Sequence, residues 1–270
     1  MPELPEVETV RRGLAPHLFG QKIHKVLVRQ YSLRWPIPDD FCEVLKGQTF
    51  QEIDRRGKYL LMHLTHGTLI AHLGMSGSFR LCDSDIPFKK HDHVIITLDN
   101  QTLRYHDPRR FGSLHWTTDQ PLTHALLAKL GPEPLCDSFT AQYLFEMLNR
   151  RKKAVKSCLM DHHLVVGVGN IYAAEALFKA GVRPDRSACT VTPEEAKKLH
   201  THIRYLLKRA IDQGGTTLRD FVNADDQPGY FQQTLAVYGR ASDPCRVCNT
   251  RLESMIIGQR SSVFCPKCQQ

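Results

Sequence analysis

No stretch of the chain approaches the roughly 18 consecutive apolar residues that a membrane span requires, which argues against a helical membrane protein. The N-terminus has no apolar core of the secretory-signal kind, so the expected compartment is the cytoplasm. Internal repeats and low-complexity tracts are also missing, which argues against solenoids and extended arrays. Negative charge is in short supply: 28 Asp plus Glu face 36 Lys plus Arg, leaving a net charge of +8 and a pI of about 9.0. That balance suits a polyanionic partner, although charge by itself leaves DNA, RNA and acidic lipid open. The 270 residues are enough for one large domain or two ordinary ones, each able to bury a core without disulfides.

Cysteine, by contrast, is plentiful, with nine in the chain. In a reducing compartment a disulfide framework is not expected, and tight clustering reads as metal ligation. Cys245-x2-Cys248 and, sixteen residues later, Cys265-x2-Cys268 match a four-thiolate zinc ribbon. With all four coordination positions filled by protein, the expected cofactor is one structural Zn2+ that holds a hairpin, and no redox or nucleotide cofactor is expected. Cys42, Cys82, Cys136, Cys158 and Cys189 show no comparable pairing. Arg246, Arg251, Arg260 and Lys267 outnumber Asp243 and Glu253 in this lobe, which suits phosphate, though most charged ribbon surfaces are only solvated.

Along the chain, Val7, Val10 and Leu14 recur at helical spacing from Pro5 to about Leu18, behind a proline suited to a first turn, with Glu6 and Glu8 toward the positive end. Extended stretches rich in β-branched and aromatic residues follow at Lys22–Val28, Thr49–Leu64, Thr68–Leu81, His93–Leu98 and Thr102–Trp116, with Asn100-Gln101 as a turn. The pattern breaks at Gly131-Pro132-Glu133-Pro134. Helices are predicted at Thr140–Arg150, Ala154–Met160, Ile171–Ala180, Pro193–Gln213 and Thr217–Val222, before the cysteine-bearing tail.

Chemistry enters at the start. Trimming one methionine would leave a free secondary amine on Pro2 beside the carboxyl of Glu3. An α-amino group titrates near pKa ~8, so about a tenth is unprotonated at pH 7 and able to attack an aldehyde carbon. Taken with His72-Leu73-Gly74-Met75-Ser76-Gly77, Asp107-Pro108-Arg109-Arg110-Phe111-Gly112, Gly167-Val168-Gly169-Asn170-Ile171-Tyr172 and the ribbon, the segment Pro2-Glu3-Leu4-Pro5-Glu6-Val7-Glu8-Thr9 closely resembles the bacterial formamidopyrimidine-DNA glycosylase family. The resemblance runs in order over the whole chain.

That resemblance implies an α+β fold in three parts: an N-terminal β-sandwich catalytic domain with an N-terminal helix (1–131), a helix-two-turn-helix DNA-binding domain (132–240) and a four-cysteine zinc finger (241–270). It implies a monomer working on damaged double-stranded DNA near the nucleoid, with no membrane partner. The Pro2 amine would attack C1′ of an oxidised purine nucleotide, the base would depart through a Schiff-base intermediate, and β- then δ-elimination would cut the strand. Glu3 is implied as the acid that opens the sugar ring, which requires a raised pKa. Lys58 is implied to assist β-elimination, and Arg260 δ-elimination and phosphate binding. Outside the resemblance, Glu3 reads as a helix-entry residue, Lys58 as an edge-strand charge and Arg260 as a solvated hairpin charge.

A base cannot be reached inside the stack, so it must be flipped out and the hole filled. Met75, Arg109 and Phe111 match the family's void-filling triad, Arg109 facing the cytosine left behind. By pattern alone Met75 shares strand phase with Leu73 and Phe79 and reads as core. His91, Arg151, Lys156 and Asn170 match DNA-contacting positions, Asn170 reading otherwise as an N-cap. The stretch Gly214–Phe221, with Arg219, matches the loop that covers the flipped base. A sister class resembling endonuclease VIII, acting on oxidised pyrimidines, and a DNA-binding module without catalysis are the competing expectations.

Overall fold

A computed structural model describes residues 2–214 and 235–270. The expected helix Thr217–Val222 and the covering loop with Arg219 lie outside the described residues. The chain divides into two compact units, one built on residues 2–128 and the other on Lys129–Asp212 and 235–270. The division falls just ahead of the Gly131-Pro132 break, and the ribbon belongs to the same unit as the helices.

The first unit opens with α1 (Leu4–Leu18), whose Val7, Val10, Leu14 and Leu18 form one buried stripe, with Pro5 in the first turn where a missing N–H costs nothing. Then follow β1 (Lys25–Val28), a short α2 (Phe41–Leu45), β2 (Phe50–Arg56), β3 (Tyr59–Leu64), β4 (Gly67–His72), β5 (Ser78–Asp83), β6 (Asp92–Thr97), β7 (Gln101–His106) and β8 (Ser113–Thr117). They form two antiparallel four-stranded sheets, ordered β1-β6-β7-β5 and β2-β3-β4-β8. Side chains of both sheets and of α1 share one core, in which Val94, Ile96, Leu103 and Phe79 of one sheet join Leu60, Met62, Leu69 and Leu114 of the other.

Several expected strands are interrupted. Thr49–Leu64 is two strands joined at Gly57-Lys58, where Arg56 pairs with Tyr59 and Gly57 takes φ 59°, a left-handed conformation that a residue with a Cβ resists. Thr68–Leu81 breaks over Leu73–Gly77, with Gly74 at φ 65°. Thr102–Trp116 breaks after His106 at Asp107-Pro108, where proline ends ladder pairing. The turn between β6 and β7 lies at Leu98–Asn100, and Gln101 already begins β7.

The second unit contains α3 (Ala141–Asn149), α4 (Val155–Leu159), α5 (Asn170–Ala180) and α6 (Pro193–Asp212), then a hairpin of β9 (Glu253–Ile257) and β10 (Arg260–Phe264). The Thr140 hydroxyl caps α3 by accepting the Tyr143 N–H. At α6, Thr192 and Glu195 exchange side-chain and backbone hydrogen bonds ahead of Pro193. The apolar helix α5 is buried almost throughout and packs Ala174 and Phe178 against Val237, Leu252, Val263 and the cysteines of the ribbon. Helix α5 ends at Gly181, φ 73°, and the last residue, Gln270, pairs with Gly181 and Arg183 through the backbone.

Candidate active site and nucleic-acid surfaces

Pro2 and Glu3 are both buried, Glu3 to 1% exposure, and Glu3 is the N-cap of α1. The Glu3 N–H donates to Glu6 Oε2 at 2.8 Å, so a carboxylate from the first turn fixes the segment next to Pro2. Glu8 accepts from Arg11, Arg12 and, across to β2, from Arg55 Nε at 3.2 Å. Burial opposes its charge, but the arginine hydrogen bonds and charges outweigh burial and hold its pKa at about 2. Glu8 therefore serves as an ion-pair hub as well as an acid near the positive end of a helix. Arg55 continues the connection, because its Nη1 donates to Gly57 O at 2.9 Å. One ion pair and one hydrogen bond thus tie the first turns of α1 to the turn that carries Lys58.

Lys58 is half-buried in that turn, where its neighbour Tyr59 pairs with His72 across the sheet, the two rings 4.7 Å apart. Burial, then the positive charges of Lys58 and Arg34, push the His72 ring down to about 4, so it is neutral at pH 7. Its Nδ1 accepts the Gly74 N–H at 3.1 Å, which places the ring proton on Nε2. This bond pins the turn that carries Met75. Met75 is not a core strand residue: the strand phase stops at Leu73, and the side chain is half-buried on a turn.

The Arg109–Phe111 loop lies against that turn. A Cβ on Gly74 would come within 2.4 Å of Phe111 C and Gly112 N, and one on Gly112 within 1.7 Å of the Tyr105 hydroxyl, so backbone approaches backbone with no room for a side chain. Arg110 sits at φ 54°, and its two neighbours stack, the Arg109 guanidinium carbon 4.9 Å from the Phe111 ring centre. Arg109 is exposed and Phe111 is 44% exposed. Met75, Arg109 and Phe111 are therefore presented on two contiguous loops of one unit. His91 is half-buried beside the same segment, its carbonyl accepting the Asp107 N–H at 3.0 Å and its ring edge-on to His93 and His106.

In the second unit, the Sγ atoms of Cys245, Cys248, Cys265 and Cys268 all lie within 4.8 Å of one another, with Cys245–Cys268 at 4.0 Å and Cys248–Cys265 at 3.5 Å. A tetrahedron of sulfurs about 2.3 Å from zinc has edges of about 3.8 Å, so the four thiols fit the ion. Gln269 bridges the ribbon to the segment that follows α5, accepting the Cys265 N–H and donating to Val182 O. The hairpin turn Gly258-Gln259 has φ 53° and 61°, the double left-handed turn that matches strand twist, and exposed Arg260 follows directly.

Three expected DNA contacts make hydrogen bonds within the protein. Lys156 is 1% exposed, and its ammonium donates to Ser262 Oγ at 2.7 Å and Ser261 O at 3.2 Å. A buried ammonium must be hydrogen-bonded, and here it supports the strand behind Arg260 instead of presenting an outward cation. Asn170 is the first residue of α5, with Gly169 as N-cap, and its Nδ2 also donates to Ser261 O, at 3.2 Å. Arg151 is half-buried and its Nη1 donates to Met147 O at the end of α3.

Two structural carboxylates were not singled out by the sequence reading. Glu175, 1% exposed, accepts the consecutive N–H groups of Ala236, Val237 and Tyr238 at 2.8–2.9 Å. A lone acid inside the apolar run Ile171–Phe178 was the available signal. Asp107, fully buried, accepts from Ser76, Tyr105, Arg109 and Gly112. Burial and then the neighbouring Asp107 keep the Tyr105 phenol protonated, its pKa well above 10, so it remains a donor to that carboxylate.

Three family models match the chain: the formamidopyrimidine-DNA glycosylase N-terminal domain over residues 1–114, the formamidopyrimidine-DNA glycosylase H2TH domain over 130–222, and a zinc finger found in FPG and IleRS over 242–270. A formamidopyrimidine-DNA glycosylase of Pseudomonas entomophila is 56% identical over 271 residues, covering 100% of both chains. The MutM (Fpg) protein of Thermus thermophilus superposes with a TM-score of 0.90 at 40% identity, over 99% of this chain and 98% of that one. Lactococcus lactis Fpg in complex with DNA containing N7-benzyl-Fapy-dG superposes with a TM-score of 0.93 at 36% identity, over 100% of each chain.

Proposed function

The chain belongs to the formamidopyrimidine-DNA glycosylase family, and from that membership we propose that it removes oxidised purines, 8-oxoguanine and formamidopyrimidines, from duplex DNA and then cuts the strand as an AP lyase. Once Met1 is removed, the Pro2 nitrogen uses its lone pair to attack C1′ while the bond to the base breaks; loss of the nitrogen proton and cleavage of C1′–O4′ then give an iminium that makes the neighbouring C2′ proton acidic enough for elimination. Glu3 supplies the proton that opens the sugar ring; its burial gives the enclosure that role requires. Lys58, on the turn tied to α1, assists β-elimination, and Arg260 acts on the phosphate released by δ-elimination. Met75, Arg109 and Phe111 fill the space left by the flipped base. His91, Arg151 and Asn170 hold phosphates, and Lys156 contributes by supporting the ribbon strand. The four thiolates hold one Zn2+ as a structural clamp.

The three-part division at 131/132 and 240/241 assigns sugar chemistry to the first part and backbone grip to the other two. No helix among the described residues is long and apolar enough to cross a membrane, and work on chromosomal DNA would place a monomer at the nucleoid.

The single observation that carries the reading is the Pro2-Glu3 start fixed by Glu6 and connected through Glu8 and Arg55 to the Lys58 turn. Borohydride reduction tests it. The protein should become covalently joined to an 8-oxoguanine duplex, should not join an unmodified duplex, and should lose the reaction when an uncleaved tag precedes Pro2. Trapping by the tagged protein would remove Pro2 from the mechanism, and trapping confined to thymine glycol duplexes would move the substrate to oxidised pyrimidines.

A further inference from the structure

We propose that Asp107 is the positioning residue that makes the Met75 turn and the Arg109–Phe111 loop enter DNA as one rigid wedge. The inference rests on the wedge role given above to these side chains. Its support is the distribution of one buried carboxylate among several elements. Oδ1 accepts the Ser76 hydroxyl at 3.0 Å, one residue from Met75, and the Arg109 N–H at 3.3 Å. Oδ2 accepts the Gly112 N–H at 2.9 Å, one residue from Phe111, and the Tyr105 hydroxyl at 3.2 Å. The backbone of Asp107 is held as well, donating its N–H to His91 O at 3.0 Å and accepting from His93 Nε2 at 2.8 Å.

All four donors to the carboxylate are uncharged, and together they come from both loops and from β7. Only an ionised acid offers two oxygens that accept throughout and donate nothing; an amide in the same place turns one end into a donor facing donors. Gly74 lies so close to the Phe111 and Gly112 backbone that a Cβ would not fit, so the two loops are in direct contact beside the clasp. Without it, exposed Arg109 and Phe111 ride on a loop with no side-chain anchor at its centre, and their insertion must be ordered anew at each encounter.

The test uses the full-length, zinc-loaded protein and Asp107→Asn, followed by thermal unfolding, borohydride trapping on a single-stranded abasic oligonucleotide, and base excision from 8-oxoguanine duplexes paired with cytosine or adenine. Single-stranded abasic DNA needs no wedge. Trapping there should stay within about twofold of native while duplex excision falls roughly tenfold or more, because misplacement of positioning groups costs rate on that scale. The native ratio between cytosine and adenine partners should also shrink, since the Arg109 backbone is one of the groups released. Unchanged duplex excision, or an equal fall on both substrates, overturns the clasp. Ser76→Ala, which cuts only the tie to the Met75 turn, should lower duplex excision by itself and add nothing in the Asp107→Asn background; additive losses would overturn the proposal too. Failure of the proposed function is distinct, because the native protein itself would then excise nothing from 8-oxoguanine duplexes.

Discussion

The two units hold exposed functional side chains in different ways. In the first, hydrogen bonds that the fold supplies by itself fix the two loops of the proposed wedge: Asp107 binds four donors and His72 a fifth. In the second, the turn bearing Arg260 depends on four cysteines that serve as thiolate ligands only when a cation replaces their protons, with Lys156, Asn170 and Gln269 bracing the hairpin. One device is permanent and the other is conditional on metal. The metal should therefore control grip on phosphate without controlling chemistry at the sugar.

The largest expected effect is on that separation. Chelation of zinc, or Cys265→Ser, should weaken duplex binding by roughly two orders of magnitude, about the worth of two charge-assisted hydrogen bonds. Borohydride trapping on saturating single-stranded abasic DNA should persist. Gel-shift titration and trapping on the same samples check both halves. A protein that binds DNA with native affinity after zinc removal yet traps nothing would break the comparison, because the metal would then serve the first unit's chemistry.

A smaller effect sharpens the account of the second unit. Lys156→Met keeps the volume of the side chain but leaves Ser261 O and Ser262 Oγ without the ammonium. Hydrogen bonds to a charged group are worth about 1.5–3 kcal/mol, so urea unfolding should show a loss of about 2 kcal/mol together with weaker DNA binding. Weaker binding at native stability would instead restore Lys156 as a direct phosphate contact.

These contrasts follow what a linear reading could and could not reach. Ribbon spacing is a local signal, since two short turns must each offer two sulfurs, and it specified the zinc fit from four letters of the alphabet. Helices α3 to α6 were legible because their apolar periodicity and caps are local as well. The inward place of Lys156 was not legible because Arg150, Arg151, Lys152, Lys153 and Lys156 share a composition, while only tertiary packing decides which of them faces inward. Met75 was caught between a period-2 pattern and a resemblance; Gly74 at φ 65° ends the strand, and the residue preference of that position is visible only once the Phe111 backbone is known to touch it. Asp107 carried a weak signal, an acid before proline, which reads as a strand stop and says nothing of four donors converging from 31 residues upstream to 5 downstream.

A third expected effect distinguishes the units by pH. His72 holds its pKa at about 4 because burial, then Lys58 and Arg34, resist a proton, whereas an unfolded histidine titrates near 6.5. Between these values the unfolded chain binds more protons than the folded one, so stability falls as pH drops from 6.5 toward 4 and is fully retained above 6.5. Protonation also converts Nδ1 from acceptor to donor against the Gly74 N–H, which unpins the Met75 turn. Thiolate ligation weakens in acid as well, so the informative quantity is the difference between native protein and His72→Gln, whose amide oxygen can still accept from Gly74 without titrating. Native protein should lose a few degrees more of melting temperature than His72→Gln between pH 6.5 and 4, and the two should run parallel above that window. Parallel curves throughout would mean that the Met75 turn is held without help from this ring.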